Sequence, residues 1–254
     1  MERANYHTHT PRCMHAVGSE REYIENAIKG GIKILGFSDH CPMPYTDGFV
    51  SGIRMTMAQM PEYIEGLLKL REEYKNQIEI KIGFEAEYVP ELFEPLMRVL
   101  EKEPIEYLIL GQHFVGQEIP SRYSGRVHEE NEWLKEYVDV VLEGLGTGAF
   151  AYLAHPDLIH FGGEKEYYAE QMMRLCEACK KLNVPIEINR LGLCEGRHYP
   201  TDLFWTQAAK VGNQVIIGYD AHQPQVLSDE EGYQACKAYA ERFGIAVDEG
   251  YRIK

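Results

Sequence analysis

Short apolar runs alternate with longer amphipathic segments along the 254 residues of the chain. The short runs are rich in β-branched and aromatic residues, which is typical of buried strands. Seven strands are predicted, at residues 4–8, 34–38, 79–85, 107–112, 150–155, 185–189 and 214–219. Seven helices are predicted from three- and four-residue apolar spacing, near residues 19–30, 58–76, 90–102, 129–144, 165–182, 201–211 and 228–243. This alternation favours a parallel sheet, either a closed barrel or an open doubly wound sheet.

Two of the predicted helices begin with the pattern of a capping box. Ser19 precedes Glu22 by three residues, and Ser228 precedes Glu231 by three. A serine oxygen in this position accepts a hydrogen bond from a backbone N–H that has no partner inside the helix. We therefore expect one helix to start after Ser19 and another after Ser228.

Length, charge and cysteine content limit the classes of protein to which this chain can belong. The length fits one barrel-sized domain over residues 1–254, and six scattered cysteines without a disulfide framework favour a reducing cytoplasm. Neither a signal-peptide core nor a run of about 18 apolar residues is present in the sequence, so no membrane partner is expected. The net charge of −14 disfavours a broad nucleic-acid surface, although bound divalent cations can attract an anionic substrate locally.

Histidines gather at the carboxyl ends of the predicted strands. Seven of the ten lie at or just beyond these ends, namely His7, His9, His15, His40, His113, His155 and His222. The strand ends of a barrel form a ring that faces a common centre, whereas those of an open sheet form a line. Convergence of so many histidines therefore favours the barrel.

Carboxylates accompany these histidines. His7 and His9 project from the same strand face and can bind one ion together, while Glu85 and Asp220 end strands and supply negative charge. Glu87 lies on the same face as Glu85, and alternation alone does not choose between them. Further acids can orient a ligating imidazole by accepting its second N–H, and the candidates are Asp39, Asp157 and Glu187.

Six short motifs then occur in order along almost the whole chain. They are HTH at 7–9, SDH at 38–40, GFE at 83–85, GQH at 111–113, AHPD at 154–157 and DAH at 220–222. This set resembles the PHP family, the polymerase and histidinol phosphatase family. The resemblance implies an α/β fold, a distorted (β/α)7 TIM-like barrel, and hydrolysis of phosphate esters at three divalent metal ions. A histidine-rich ligand set suits zinc, manganese or iron better than magnesium or calcium.

The resemblance also implies a ligand set for each ion. The first ion is expected to bind His7, His9, Glu85 and Asp220, and the second Glu85, His113 and His155. The third is expected to bind His15, His40 and His222.

The stretch EINRLGLCEGRHYP at 187–200, followed by GYDAH, resembles the histidinol-phosphatase branch of this family. The chain departs from that branch at His160, where a basic residue is usual, and at Cys194, where an arginine is usual. We expect Arg190 and Arg197 to contact phosphate in its place, because a guanidinium can grip phosphate oxygens in pairs. His160 and His198 are expected to line the substrate mouth.

The sequence thus favours a phosphomonoesterase acting on a small-molecule phosphate ester, specifically L-histidinol phosphate, with L-histidinol and phosphate as products. Glu85 and Asp220 are expected to act in the reaction, and Asp39 or Asp157 to protonate the leaving alkoxide. One alternative is a phosphodiesterase or 3′–5′ exonuclease, which the negative charge disfavours. Another is a non-catalytic metal-binding protein, which the complete ligand set disfavours. Oligomeric state is not readable from the sequence.

Cys176 and Cys179 form a C-x-x-C pair within a predicted helix. The helical periodicity around them favours core packing of two small thiols over redox or zinc chemistry, since no second such pair is present.

Overall fold

The structure is a computed structural model that describes residues 2–119 and 121–253. Its strands are β1 Ala4–Asn5, β2 Ile34–His40, β3 Glu79–Ala86, β4 Tyr107–Leu110, β5 Ile186–Asn189 and β6 Val215–Gly218. All of the pairings between these strands are parallel, in the orders β1-β2-β3-β4 and β5-β6. Parallel pairing brings the carboxyl ends of the strands to one side of the molecule.

Three isolated bridges close these sheets into a ring. Leu153 bridges Leu110 on one side and Ile186 on the other, so residues 150–155 occupy the gap between β4 and β5. Thr8 bridges Ala221, which joins the chain after β1 to the chain after β6. The expected α/β, distorted TIM-like barrel is confirmed. The expected regular strand at 150–155 is wrong, because pairing there is limited to Leu153 before His155 leaves the extended conformation with a φ of 26°.

The seven predicted helices are present, with ends within a few residues of those expected. Together with a short additional helix they are α1 Glu20–Lys29, α2 Met60–Tyr74, α3 Pro90–Leu100, α4 Asn131–Gly146, α5 Lys165–Leu182, α6 Arg190–Cys194, α7 Asp202–Val211 and α8 Glu230–Glu241. Helix α6 was not predicted, since its five residues are too few to show a helical period.

The two capping predictions have opposite outcomes. Ser19 caps α1 with the full reciprocal box to Glu22. Ser228 does not cap α8, because it ends a 3-10 turn and Asp229 takes the cap position. The Asp229 carboxylate accepts a hydrogen bond from Gly232 N at 3.0 Å, and a negative charge at a helix N-terminus is favourable.

A small apolar layer fills the barrel beneath the strand ends. Tyr6, Tyr107 and Tyr152 are buried in it, and the Tyr107 hydroxyl donates a hydrogen bond to the Tyr6 carbonyl at 2.8 Å. A Cβ at Gly36 would lie 2.2 Å from the Tyr107 hydroxyl oxygen, and one at Gly83 would lie 2.5 Å from the Tyr107 carbonyl oxygen. Both glycines therefore make room for this aromatic floor.

A larger apolar core lies between the barrel and its helices. Cys176 and Cys179 are buried free thiols in this core, as the periodicity of α5 predicts. Within residues 2–119 and 121–253, none of the helices combines the length and the apolar character that crossing a membrane requires.

Candidate metal centre

The barrel brings the expected ligand side chains together at its carboxyl end. The carboxylate–histidine cluster is defined here as His7, His9, His15, His40, Glu85, His113, His155, Asp220 and His222. Most of its members end a strand or follow one directly. His15 is the exception, since it follows a 3-10 turn at Pro11–Cys13 that continues from the β1 end. His15 is exposed, whereas the members deeper in the barrel are buried.

Glu85 lies at the centre of this cluster. Five imidazole nitrogens surround its carboxylate, at 3.4 Å for His7 Nε2, 3.4 Å for His9 Nε2, 3.1 Å for His40 Nδ1, 2.7 Å for His155 Nε2 and 3.6 Å for His113 Nε2. The carboxylate is 1% exposed. A buried acid surrounded by imidazoles on several sides is well placed to bridge two cations.

Asp220 is the second carboxylate of the cluster. Its Oδ1 lies 3.0 Å from His9 Nε2 and 3.5 Å from His7 Nε2. The same oxygen lies 3.3 Å from His222 Nδ1. Asp220 and Glu85 therefore face the same pair of imidazoles, His7 and His9, from two directions.

Hydrogen bonds at Nδ1 fix the orientation of several rings. His7 Nδ1 lies 2.9 Å from Glu187, His113 Nδ1 lies 3.1 Å from Glu87, His15 Nδ1 lies 2.6 Å from the Cys13 carbonyl, and His222 Nδ1 lies 3.0 Å from the Asp220 carbonyl. When Nδ1–H donates, the Nε2 lone pair is free to bind a metal. Glu187 thus has the orienting position expected from the sequence.

The choice between Glu85 and Glu87 follows from a buried ion pair. Arg54 Nη1 and Nη2 lie 2.6 and 3.0 Å from the two oxygens of Glu87. Glu87 also accepts the His113 hydrogen bond, so its carboxylate faces away from the centre that Glu85 occupies. Glu87 therefore orients a histidine, and Glu85 is the carboxylate within the cluster.

The donor set fits divalent metal ions. Several buried atoms make close contacts that lack hydrogen-bond geometry, or no polar contact, in the described part of the chain. They include His7 Nε2, His9 Nε2, His40 Nδ1, Glu85 Oε2 and His222 Nε2. A buried polar atom without a partner costs about 1–3 kcal/mol, so such a concentration calls for cations. Several groups of three side chains could each hold an ion, with ligand atoms within 4.8 Å of one another. They include His7–Glu85–His155, His7–His9–Asp220 and His9–His40–His222.

The electrostatics of the cluster also favour cations. Burial would raise the pKa of Glu85 and Asp220, but the surrounding histidines hold both well below the usual range. Burial lowers the pKa of His40 and of His222 to about 3, so both rings are neutral and offer a lone pair. The carboxylates therefore stay ionised and attract positive charge.

The backbone is strained where two of these side chains enter the cluster. His155 and Asp220 have φ values of 26° and 50°, which non-glycine residues rarely adopt. Space is equally restricted next to Glu85, because a Cβ at Gly111 would lie 1.9 Å from Glu85 Oε1. The glycine of the GQH motif therefore makes room for the central carboxylate.

The two acids expected to protonate a leaving group are both bound by backbone N–H groups. Asp39 accepts hydrogen bonds from Thr10 N at 3.2 Å and from His40 N at 2.8 Å. Asp157 accepts one from Thr201 N at 2.5 Å, and burial raises the pKa of its carboxyl to about 6. Both contacts position loops beside the cluster, and the general-acid role stays a prediction.

The four expected substrate-binding residues occupy two places. Arg190 is largely buried and its guanidinium pairs with Asp229 at the start of α8. Arg197 is partly exposed and its Nη1 lies 3.3 Å from the Tyr199 hydroxyl. The rings of His160 and His198 stack at 4.2 Å and line a cavity of about 300 Å³. Contact of these four with substrate stays a prediction.

Two further side chains neighbour the cluster, and sequence reasoning missed one of them, Cys13. Tyr123 lies with its ring nearly parallel to that of His113 at 6.4 Å, and Cys13 lies beside His15 and His222. The HTH motif close before Cys13 was the available signal for it.

Comparison with known proteins identifies the family. The model of the PHP domain matches residues 5–191. The chain belongs to the PHP family. Its curated relatives include a probable histidinol-phosphatase of Deinococcus radiodurans, 27% identical over 226 residues that cover 86% of this chain and 85% of the relative. The histidinol-phosphatase of Bacillus subtilis is 24% identical over 274 residues, covering 95% of this chain and all of the relative.

Solved structures show the same PHP fold. One of them is the histidinol phosphate phosphatase of Lactococcus lactis in complex with zinc, L-histidinol and phosphate. Its TM-score is 0.74 at 17% identity, and the match covers 97% of this chain and 95% of the Lactococcus chain. A putative histidinol phosphatase of Listeria monocytogenes has a TM-score of 0.71 at 20% identity, covering 91% and 99%. The seven-unit PHP barrel expected from the motifs is therefore the fold of this chain.

Proposed function

We propose that this PHP protein is a metal-dependent phosphomonoesterase whose active site is the carboxylate–histidine cluster. The observation that carries the proposal is the convergence of buried, unpartnered donor atoms around Glu85 and Asp220 at the mouth of the barrel. Structural metal sites are usually closed by four ligands, whereas catalytic sites keep an open position. The exposure of His15 indicates that this cluster opens to solvent on one side.

We propose three divalent ions at this site, of zinc, manganese or iron. The groups His7–His9–Asp220 and His7–Glu85–His155 support the first two, with Glu85 shared and His113 completing the second. His222 is shared by two further groups, one with His9 and His40 and one with Cys13 and His15, and these support a third ion near His15, His40 and His222. Imidazole and carboxylate ligands suit these three metals.

The substrate we propose is L-histidinol phosphate, hydrolysed to L-histidinol and phosphate. The names of the relatives from Deinococcus radiodurans and Bacillus subtilis support this choice. So does the Lactococcus lactis structure, which has the same fold and carries L-histidinol and phosphate. A small phosphate ester suits a site at the bottom of a barrel mouth, and neither a membrane nor a nucleic-acid partner is proposed. We also propose a cytoplasmic location, which the six free thiols support. The whole of residues 1–254 is proposed to form a single domain that needs no disulfide.

Residues at different positions in the site would contribute to different parts of the hydrolysis. Divalent ions held by these residues would supply a nucleophile at neutral pH, because coordination lowers the pKa of water toward about 7, and would neutralise charge on the phosphoryl oxygens. Glu85 and Asp220 hold the charge that binds those ions, and Glu187 and Glu87 keep His7 and His113 oriented. In this proposal Arg197 would grip phosphate oxygens, and Asp39 or Asp157 would return a proton to the leaving alkoxide.

A substrate panel tests this proposal. Release of inorganic phosphate is measured with L-histidinol phosphate, an aryl phosphate and nucleotides. With an aryl phosphodiester the released aryl alcohol is measured, and with single-stranded DNA the released nucleotides. Each substrate is tested with zinc, manganese and iron. We expect a strong preference for L-histidinol phosphate. Comparable turnover of the diester or the DNA would instead establish the phosphodiesterase or exonuclease alternative, and no turnover of any ester would support a non-catalytic metal-binding protein.

Substitutions test whether the cluster carries the phosphatase activity. Glu85→Gln should lose activity by at least about 100-fold, because the central negative charge disappears while the shape remains. Glu87→Gln should lose less, because Glu87 acts through His113. Glu91→Gln, an exposed glutamate on α3, is the matched control and should equal the wild type. Equal loss in the Glu85 and Glu91 variants would contradict the assignment.

A further inference from the structure

Cys13 lies against the outer edge of the carboxylate–histidine cluster. Its side chain is 0% exposed, although it follows a polar HTH segment and precedes the exposed residues Met14 and His15. The turn that contains it explains the burial. Thr10 caps the 3-10 turn Pro11–Cys13, and Met14 follows it with a left-handed φ of 67°, so the chain turns sharply between the buried Cys13 and the exposed Met14.

The sulfur of Cys13 and one nitrogen each of His15 and His222 lie within 4.8 Å of one another. Around a tetrahedral zinc ion, sulfur and nitrogen ligands lie about 3.3–3.6 Å apart, so a small contraction around an ion brings these three atoms to that spacing. These three side chains, which come from two strand ends, are therefore close enough to bind one ion together.

The Nε2 atoms of His15 and His222 are available to bind such an ion. His15 Nδ1 is engaged by the Cys13 carbonyl and His222 Nδ1 by the Asp220 carbonyl, at 2.6 and 3.0 Å. His222 Nε2 is buried and lacks a hydrogen-bond partner in the described residues. The Val17 N–H donates to the His222 carbonyl at 2.9 Å, which fastens the Cys13 segment to the His222 loop. An unsatisfied nitrogen next to a buried thiol points to a shared ligand.

We propose that the Cys13 thiolate is a ligand of the third ion, together with His15 and His222. The inference rests on the proposed metal-dependent function and adds a sulfur ligand to it. Binding would release the thiol proton to solvent, without any change in oxidation state. A thiolate is a soft ligand, so the third ion should be zinc or iron in preference to manganese.

One other arrangement competes for the same sulfur. Cys13, a nitrogen of His9 and an oxygen of Asp39 also lie within 4.8 Å of one another, and the His9 Nδ1–Asp39 Oδ1 distance is 3.5 Å. A thiol that only packed against His9 would orient that ring without touching a metal. Cobalt spectroscopy distinguishes the two arrangements, because only a sulfur–cobalt bond gives a sulfur-to-cobalt charge-transfer band.

The experiment loads the metal-free protein with Co²⁺ and records its absorption spectrum. We expect ligand-field bands from the whole site and a near-ultraviolet charge-transfer band from sulfur. Cys13→Ser and Cys13→Ala should lose the charge-transfer band and keep the ligand-field bands of the first two ions. Cys179→Ser is the matched control, since Cys179 is an equally buried thiol in the apolar core, and it should keep both. Circular dichroism checks that each variant folds.

Each outcome has a distinct meaning. Ligand-field bands without a charge-transfer band in the wild type would overturn the Cys13 inference and leave the proposed metal-dependent function intact. Absence of cobalt binding altogether would overturn both. Zinc content gives an independent reading: Cys13→Ala should bind one equivalent fewer than the wild type after gel filtration, and an unchanged content would contradict the inference.

Discussion

Arg54 Nη1 lies 2.6 Å from Glu87 Oε2, and both side chains are 2% exposed. Glu87 in turn accepts a hydrogen bond from His113 Nδ1 at 3.1 Å. Arg54 comes from the long loop after β2, and His113 follows β4, so one buried charge pair connects a loop to a candidate metal ligand. Such a pair affects both the stability of the fold and the orientation of the imidazole.

Removal of Arg54 should destabilise the protein strongly. Arg54→Met leaves the Glu87 charge buried and unpaired, which should lower the free energy of unfolding by about 3–5 kcal/mol. The double variant Arg54→Met/Glu87→Met should recover much of that loss, because neither charge remains. Urea denaturation measures both, and Arg21→Met is the control, since it breaks an exposed pair with Glu73 and should cost far less stability than Arg54→Met.

The same double variant should remain defective in metal binding. Without Glu87 the His113 ring loses its Nδ1 partner, and loss of such a partner typically weakens metal affinity by about 10–100-fold. Competition with a metal indicator measures this affinity. Wild-type affinity in the double variant would show that Glu87 does not orient His113.

Gly111→Ala should damage the cluster more than the fold. The new methyl group would lie 1.9 Å from Glu85 Oε1, so the central carboxylate must move. We expect at least about a tenfold loss of metal affinity, since small displacements of supporting groups cost that much. Gly66→Ala is the matched control: nothing lies within 4 Å of its Cβ, and in the middle of α2 it should stabilise the protein by about 0.5–1 kcal/mol. Equal metal affinity in the two variants would contradict the role of Gly111.

Metal binding should expel protons from His7 and His9. Burial by itself lowers the pKa of these rings, but Glu187, Asp220 and Glu85 around His7, and Asp220 and Asp39 beside His9, raise the pKa of each well above its ordinary value. Both rings are therefore protonated in the metal-free protein near neutrality, and only the neutral ring binds a metal. Raising the pH removes the competing protons, so affinity should increase with pH.

Calorimetry in buffers of different ionisation enthalpy measures these protons directly. The observed heat of zinc binding at pH 7 should change with the buffer, with a slope that corresponds to protons released. Heats that are independent of the buffer would contradict the raised pKa values.

The barrel and most of the cluster were predictable because both follow from local patterns. His7 and His9 are two residues apart on a strand, and the other ligands lie at strand ends, so parallel pairing alone brings them together. The strand at 150–155 was the weakest part of this prediction. Its apolar run is correct, but the turn of the backbone at His155 that aims the ring inward has no sequence signature.

Choices that depend on tertiary contacts were not predictable. Glu85 and Glu87 share a strand face, and only Arg54, more than thirty residues away, draws Glu87 out of the centre. Ser228 and Asp229 are both good capping residues, and the 3-10 turn that ends at Ser228 decides between them. Cys13 is buried at the end of a 3-10 turn that is followed by Met14 with a left-handed φ, a conformation that non-glycine residues rarely show.

The most direct test of the central claim is hydrolysis of L-histidinol phosphate by protein stripped of metal and then titrated with zinc. Phosphate release should be negligible in the stripped protein, should increase with added zinc, and should level off near three equivalents. Glu85→Gln should stay inactive throughout the titration. Full activity in the stripped protein, or activity that does not respond to zinc, manganese or iron, would contradict the account.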